Sequence, residues 1–275
     1  MLIKPDKYKN TTEITNLNGV PIYLPTLAEA AVRGRLNMFL PGKSGFGKTQ
    51  LVRDVMNYFG DKSLFILGRN DMDTRELFQQ VNPEFLRAIK EGRATDKGFK
   101  EVTDKVNYNL IAVDELPNCV PAVRAQLFNL FDGFIEIGGK SYPIGSGYSI
   151  GLATGNIGQE FTESSNDLGR ALKERMHLIL DVDFLRPKAI DFYDMLENNL
   201  DPRVNFPTQS LEGKIEDIKR AHQKLIERPV PFEKKVIGLY LVEGLDYLDD
   251  GKRKSELKSG WHTKLKVMQQ VRIPL

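Results

Sequence analysis

Eight consecutive residues, Gly42-Lys43-Ser44-Gly45-Phe46-Gly47-Lys48-Thr49, constrain this chain more than any others. They fit the pattern G-x-x-x-x-G-K-[ST], in which a glycine-rich turn curls backbone N–H groups around phosphate oxygens. Lys48 has the length and charge to reach β- and γ-phosphates, and the Thr49 hydroxyl is a candidate ligand for Mg²⁺. The flanks supply what such a turn needs. Leu36-Asn37-Met38-Phe39-Leu40 reads as a short apolar strand. Leu51, Val52, Val55, Met56 and Phe59 recur at helical spacing across Thr49 to Phe59. A helix starting there turns the positive end of its dipole toward bound phosphate.

Bulk properties exclude several other classes. Net charge is +2 over 275 residues, so nothing in the charge balance calls for nucleic acid or an anionic membrane. The single cysteine, Cys119, excludes an internal disulfide framework and fits a reducing cytosol. No apolar run approaches the length of a membrane span, and Met1 to Lys7 lacks the apolar stretch of a signal peptide. A cytoplasmic protein is the expectation.

Along the chain, Asn18-Gly19 between apolar residues predicts a hairpin with a type I′ turn over Ile14 to Leu24. Thr26-Leu27-Ala28-Glu29 reads as a capping box opening a helix that Gly34 ends. Strands are predicted at Ser63 to Leu67, Tyr108 to Val113, Ser149 to Thr154 and His177 to Val182. Helices are predicted at Thr74 to Gln80, Glu84 to Glu91, Val120 to Phe131 and Leu168 to Glu174. Gly92 to Lys105 is polar and reads as an exposed loop. Phe134 to Tyr148 reads as a hairpin turning at Gly138-Gly139. Beyond Pro187 the pattern becomes helical, at Ala189 to Leu196, Leu211 to Ile226, Phe232 to Leu248 and Thr263 to Val271. The division expected is an N-terminal hairpin extension over 1–25, an α/β nucleotide-binding unit over 26–185 and a helical unit over 186–275.

Three signals sharpen the reading of the phosphate loop. The apolar strand before Asp114-Glu115 places a carboxylate at a strand end. There Asp114 would hold Mg²⁺ with Thr49, and Glu115 would polarise an attacking water as general base. Ala153-Thr154-Gly155-Asn156 follows another apolar strand, and an Asn at the end of a parallel strand lies on the ligand side. Finally, Arg170 and Arg175 precede the last strand. A guanidinium there is a candidate for stabilising charge in phosphoryl transfer, with Arg175 the better placed and an ordinary surface ion pair the alternative.

These spacings resemble the AAA+ ATPases, and within them the MoxR-type branch. The segments that carry the resemblance are GKSGFGKT, NLIAVDEL, GLATGN, ALKERM and the stretch VRAQLFNLFDGFIEIGGKSYPIGSGYSIGLATGN. It runs from about Ala28 to Phe184. It implies a P-loop NTPase core, a parallel sheet flanked by helices, followed by an all-helical lid. Gly42, Lys43, Ser44, Gly45, Phe46, Gly47, Lys48, Thr49 and Gln50 would bind ATP; Thr49 and Asp114 would hold Mg²⁺; Glu115 and Asn156 would serve hydrolysis. Arg175 would act in trans on a neighbouring subunit, which requires a ring, usually hexameric in this family. Gly260-Trp261-His262-Thr263-Lys264 is the nearest match to the lid arginine motif, with Lys264 in place of Arg. The chain departs from the family at Pro117, with Asn118 one place later than the usual Asn, and at Ile157, where Pro is common.

The resemblance further implies a chaperone-like role, remodelling or loading a protein client, often with a partner carrying a metal-binding adhesion-type domain. Candidate client contacts are the hairpin Phe134 to Tyr148 and the loop Asn70 to Arg75. The alternative function is a nucleotide-controlled scaffold or switch with little turnover. Other reactive residues read as structural: His177 as a packed histidine, His222 and His262 as isolated, Cys119 as a thiol without a nearby histidine, and Lys252-Arg253-Lys254 as a solvated turn.

Overall fold

The computed structural model describes residues 7–69, 71, 79–93, 100–102, 104–137, 140–156, 171–172, 174–198 and 214–246. Strands β1 (Thr15–Leu17) and β2 (Val20–Ile22) form the expected antiparallel hairpin. Asn18 and Gly19 have φ of 52° and 84°, the positive values a type I′ turn requires. Helix α1 (Leu24–Gly34) does not use the capping box expected at Thr26. Its N-cap lies three residues earlier, at Tyr23, with no side-chain cap. Pro25, whose ring presets φ, opens the first turn instead, and Glu29 pairs with Arg33 one turn on, at 2.6 Å.

The chain continues through β3 (Met38–Pro41), α2 (Lys48–Phe59), β4 (Ser63–Leu67), β5 (Gln79–Val81), α3 (Pro83–Lys90) and β6 (Lys100–Val102). Then come β7 (Leu110–Asp114), α4 (Pro121–Phe131), β8 (Phe134–Ile137), β9 (Lys140–Pro143), β10 (Ile150–Gly155) and β11 (Leu178–Ile179). The described helices α5 (Ala189–Asn198), α6 (Lys214–Glu227) and α7 (Phe232–Asp246) follow.

Five strands form one sheet in the order β11-β3-β10-β7-β4, every pair parallel. A parallel sheet is covered on both faces, so its strands read as continuous apolar runs. β7 shows the consequence: Leu110, Ile111, Ala112 and Val113 are all buried, on alternate faces. Leu110 and Ala112 join Met38, Leu40, Leu152 and Val55 on the side of α1 and α2. Ile111 and Val113 join Phe39, Ala153, Leu127 and Phe131 on the side of α4. Helix α6 belongs to the first of these cores: its Ile218 is fully buried there, and His222 Nδ1 lies 2.8 Å from the Arg33 carbonyl.

Two further expectations change. The polar stretch Gly92 to Lys105 contains β6, which pairs antiparallel with β5, and β5 includes Gln79 and Gln80 from the end of the helix expected over Thr74 to Gln80. Three-residue strands joined across so many positions leave no local periodicity to read. The last strand is also shorter than expected, although Val182 N–H still bonds the Pro41 carbonyl at 2.9 Å. Hairpin β8–β9 forms; its Gly138-Gly139 turn, most of the loop Asn70 to Arg75, Arg170, and the helix expected at Thr263 to Val271 lie outside the described residues.

Asn37 closes the N-terminal edge of the sheet. Its side-chain NH₂ donates to the carbonyls of Phe131 at 2.8 Å and Arg175 at 3.1 Å. Its Oδ1 accepts the Gly151 N–H at 2.8 Å. One buried amide thus joins β3, α4, β10 and the approach to β11. Asn37→Ala strands the Gly151 N–H and two carbonyls in the core, and a loss of about 3 kcal/mol is expected. A lower urea midpoint with an unchanged m-value would register it.

Candidate functional site

Because all five strands run the same way, their C-terminal ends and following loops gather at one edge. The glycine-rich turn follows β3. Gly42, Gly45 and Gly47 have φ of 135°, 93° and 74°, values that a Cβ disfavours, and Gly47 directly caps α2. A Cβ on Gly47 would also lie 2.9 Å from the Tyr8 ring. The Lys48 ammonium is buried inside the turn. It donates to the Gly42 carbonyl at 2.6 Å, the Lys43 carbonyl at 2.7 Å and Asn156 Oδ1 at 3.0 Å. Burial pulls its pKa below the usual lysine value, opposed by the negative charges of Asp183, Asp114, Glu115 and Asp181.

Asp114 ends β7 beside the start of α2. Thr49 Oγ1 lies 3.0 and 3.2 Å from its two carboxylate oxygens. Thr154 Oγ1 donates to Asp114 Oδ1 and accepts the Glu115 N–H at 3.2 Å. One hydroxyl on β10 therefore sets both acidic residues, a role the sequence reading did not assign to Thr154. Glu115 itself has φ 55° and ψ 42°, a left-handed conformation that costs energy for a non-glycine residue. Gly68 makes room for it: its N–H bonds the Asp114 carbonyl at 2.7 Å, and a Cβ there would lie 2.3 Å from the Glu115 carbonyl oxygen. The Glu115 carboxylate accepts the Asn118 amide at 2.8 Å.

A hydroxyl and a carboxylate held together at the end of a phosphate loop suit Mg²⁺, a hard cation that keeps several waters and takes the rest of its shell from phosphate. No group of three or more His, Cys, Asp or Glu that could form a closed metal cage occurs among the described residues. The oxygen donors of Thr49 and Asp114 fit Mg²⁺ shared with a nucleotide.

The other predicted residues divide. Ser44 and Gly45 are exposed on the crown of the turn. The Lys43 N–H donates to Asp183 at 2.9 Å, and the Arg186 guanidinium lies 5.1 Å from the Phe46 ring centre. The Gln50 amide donates to Asp54 at 2.8 Å. Arg175 is not part of this cluster. Its carbonyl is tied to Asn37 at the opposite edge of the sheet, a strand length of about 13 Å away. Its guanidinium donates to Asp132 at 3.2 Å and lies 5.3 Å from the Phe128 ring centre. Lys264 lies outside the described residues.

A strap that no sequence pattern announced runs beneath the turn. Asp54 of α2 accepts the N–H groups of Lys7 and Tyr8 at 2.9 and 2.7 Å. Asn10 donates to the Tyr8 hydroxyl at 3.0 Å and to the Leu185 carbonyl at 2.7 Å, and the Thr11 N–H donates to Asp191 at 3.0 Å. Burial raises the Tyr8 phenol to about 12. The strap thereby links the phosphate turn to the start of α5. Cys119 is buried, and burial pushes its thiol up, so the structure gives it a packing role.

Residues 37–134 match the family model of the AAA domain, dynein-related subfamily. A crystal structure from Cytophaga hutchinsonii, described as a "putative ATPase", is similar with a TM-score of 0.57 at 18% identity, over 80% of this chain and 62% of that one. The chain therefore spans less than two thirds of that structure. No protein of curated function matches the sequence. Among the described residues no helix is long and apolar enough to cross a membrane. The parallel sheet flanked by helices, the phosphate turn and the AAA match over residues 37–134 agree on a P-loop NTPase fold of the AAA+ type, followed by a helical region.

Proposed function

We propose that the chain binds ATP with Mg²⁺ and hydrolyses it as part of a homo-oligomeric ring that remodels, loads or activates a protein client, in the manner of the MoxR-type AAA+ ATPases. The observation that carries this reading is convergence: Lys48, Thr49, Asp114 and Asn156 meet within hydrogen-bonding distance at one end of the sheet. On this reading the N–H groups of the turn hold the β- and γ-phosphates, and Lys48 exchanges Asn156 for phosphate oxygen. Magnesium at Thr49 and Asp114 supplies charge neutralisation. Asn156, once released, orients a water molecule. Glu115 takes its proton as the water oxygen bonds to the γ-phosphorus and the bond to the β–γ bridging oxygen breaks.

Arg175 fits a role in trans, because its own chain's site lies at the other edge of the sheet. The 186–275 region acts as the lid in this reading, with Lys264 as its phosphate contact. A protein client or an adhesion-type-domain partner is the proposed target, reached through hairpin β8–β9 or the loop at Asn70 to Arg75, and the proposed location is the cytoplasm.

A second reading, a nucleotide-controlled switch with little turnover, is favoured by one bond. The Asn118 amide donates to one oxygen of the Glu115 carboxylate, the group that water activation uses. Phosphate release by wild-type protein at saturating Mg-ATP separates the two: steady multiple turnover supports the ATPase, and a single stoichiometric release supports the switch.

Glu115→Gln keeps the shape of the site and removes the base, so ATP binding should stay within about twofold while phosphate release falls by about 10²–10⁴. Fluorescent-nucleotide binding and a phosphate assay check this pair. Arg175→Ala should silence the neighbouring site and spare its own. Mixed with Glu115→Gln subunits it should recover part of the activity, because some interfaces then pair an intact Arg175 with an intact Glu115. Full activity in an all-Arg175→Ala sample removes the trans role.

A further inference from the structure

Arg53 is 3% exposed, an unusual place for a guanidinium. It lies on α2 one turn after Thr49, and residues four apart share a helix face, so it points at the sheet as Thr49 does. Its guanidinium carbon lies 3.4 Å from the centre of the Phe65 ring, a stacked cation–π contact. Phe65 of β4 is in register with Ala112 of β7, two residues before Asp114 and therefore on the same face. Ala112 sits in the core beneath α2. The cation is thus packed between α2 and the sheet, over the face of β4 next to the strand that ends in Asp114. The negative charge of Asp114 acts on it there, against a burial effect that draws its pKa to about 10, still protonated at neutral pH.

An apolar side chain of similar length would fill this space with no desolvation cost, so packing alone does not call for a charge here. We propose that Arg53 is a positioning residue of the magnesium site, whose fixed positive charge offsets the Asp114 carboxylate and weakens the hold on Mg²⁺. This rests on the reading of Asp114 as a magnesium ligand. It adds to that reading a buried cation that tunes the affinity, so that metal and nucleotide stay exchangeable.

The test uses the full chain. In the metal-free protein, a double-mutant cycle of Arg53→Met and Asp114→Asn is read by urea unfolding. Each single change should destabilise, and the double variant should lose clearly less than the sum, because it removes both charges. Additive losses overturn the proposal. With a non-hydrolysable ATP analogue, the Mg²⁺ midpoint should fall about tenfold in Arg53→Met and stay within about threefold of wild type in Arg53→Lys. An unchanged or higher midpoint in Arg53→Met, or a Lys variant that follows it, overturns the proposal. Should Arg53→Met not fold, Arg53→Gln carries the same expectations. An Asp114→Asn protein whose Mg²⁺ midpoint equals wild type instead removes the reading of Asp114 as a ligand, a result the metal-free cycle does not depend on.

Discussion

The buried Lys48 ammonium is the constraint around which the rest of this molecule is arranged. A lysine amine taken out of water needs acceptors for its protons and negative charge nearby. The turn provides two carbonyls, from Gly42 and Lys43, and β10 provides Asn156. Those carbonyls can point inward only because the turn carries glycine where φ is positive. The acids whose charges oppose the burial come from the ends of two different strands, β7 and β11. Lys48 therefore holds its place only when at least four segments are correctly assembled.

The same logic explains the concentration of strain and polar groups at one edge. Glu115 adopts a left-handed backbone, held by Thr154 from one side and given room by Gly68 from the other. Such a conformation persists where the surroundings over-determine it. At the opposite edge polar groups are spent on assembly: Asn37 bonds three segments, and Arg175 is paired with Asp132. One end of the sheet gathers the phosphate turn and its acids, and the other ties the fold together.

Much of the site was legible beforehand because its chemistry is local in sequence. The turn from Gly42 to Thr49 must be contiguous to curl around phosphate, and the apolar run before Asp114 announces a buried strand. The apolar strands of the sheet were legible for the same reason: parallel strands buried on both faces read as unbroken hydrophobic stretches. Elements held by distant partners were not. The capping box at Thr26 lost to Pro25 one residue earlier. β6 was missed because its pairing with β5 carries no periodic signature. Residues 7–12 showed no pattern, yet Asp54, Leu185 and Asp191 hold them beneath the phosphate turn.

The sequence by itself determined that this chain carries a phosphate-binding turn between a strand and a helix, an acidic strand end and an amide after another strand. These follow from residue type and short spacing, which local backbone physics converts directly into structure. Only the tertiary structure decided that Thr154 sets both acids, that Arg53 lies buried against Phe65, that Arg175 stands a full strand away from its own phosphate turn, and that α6 packs into the α/β core. Each of those depends on which strands pair and in what register. Pairing is settled by burial across the whole sheet, which spacing along the chain does not record.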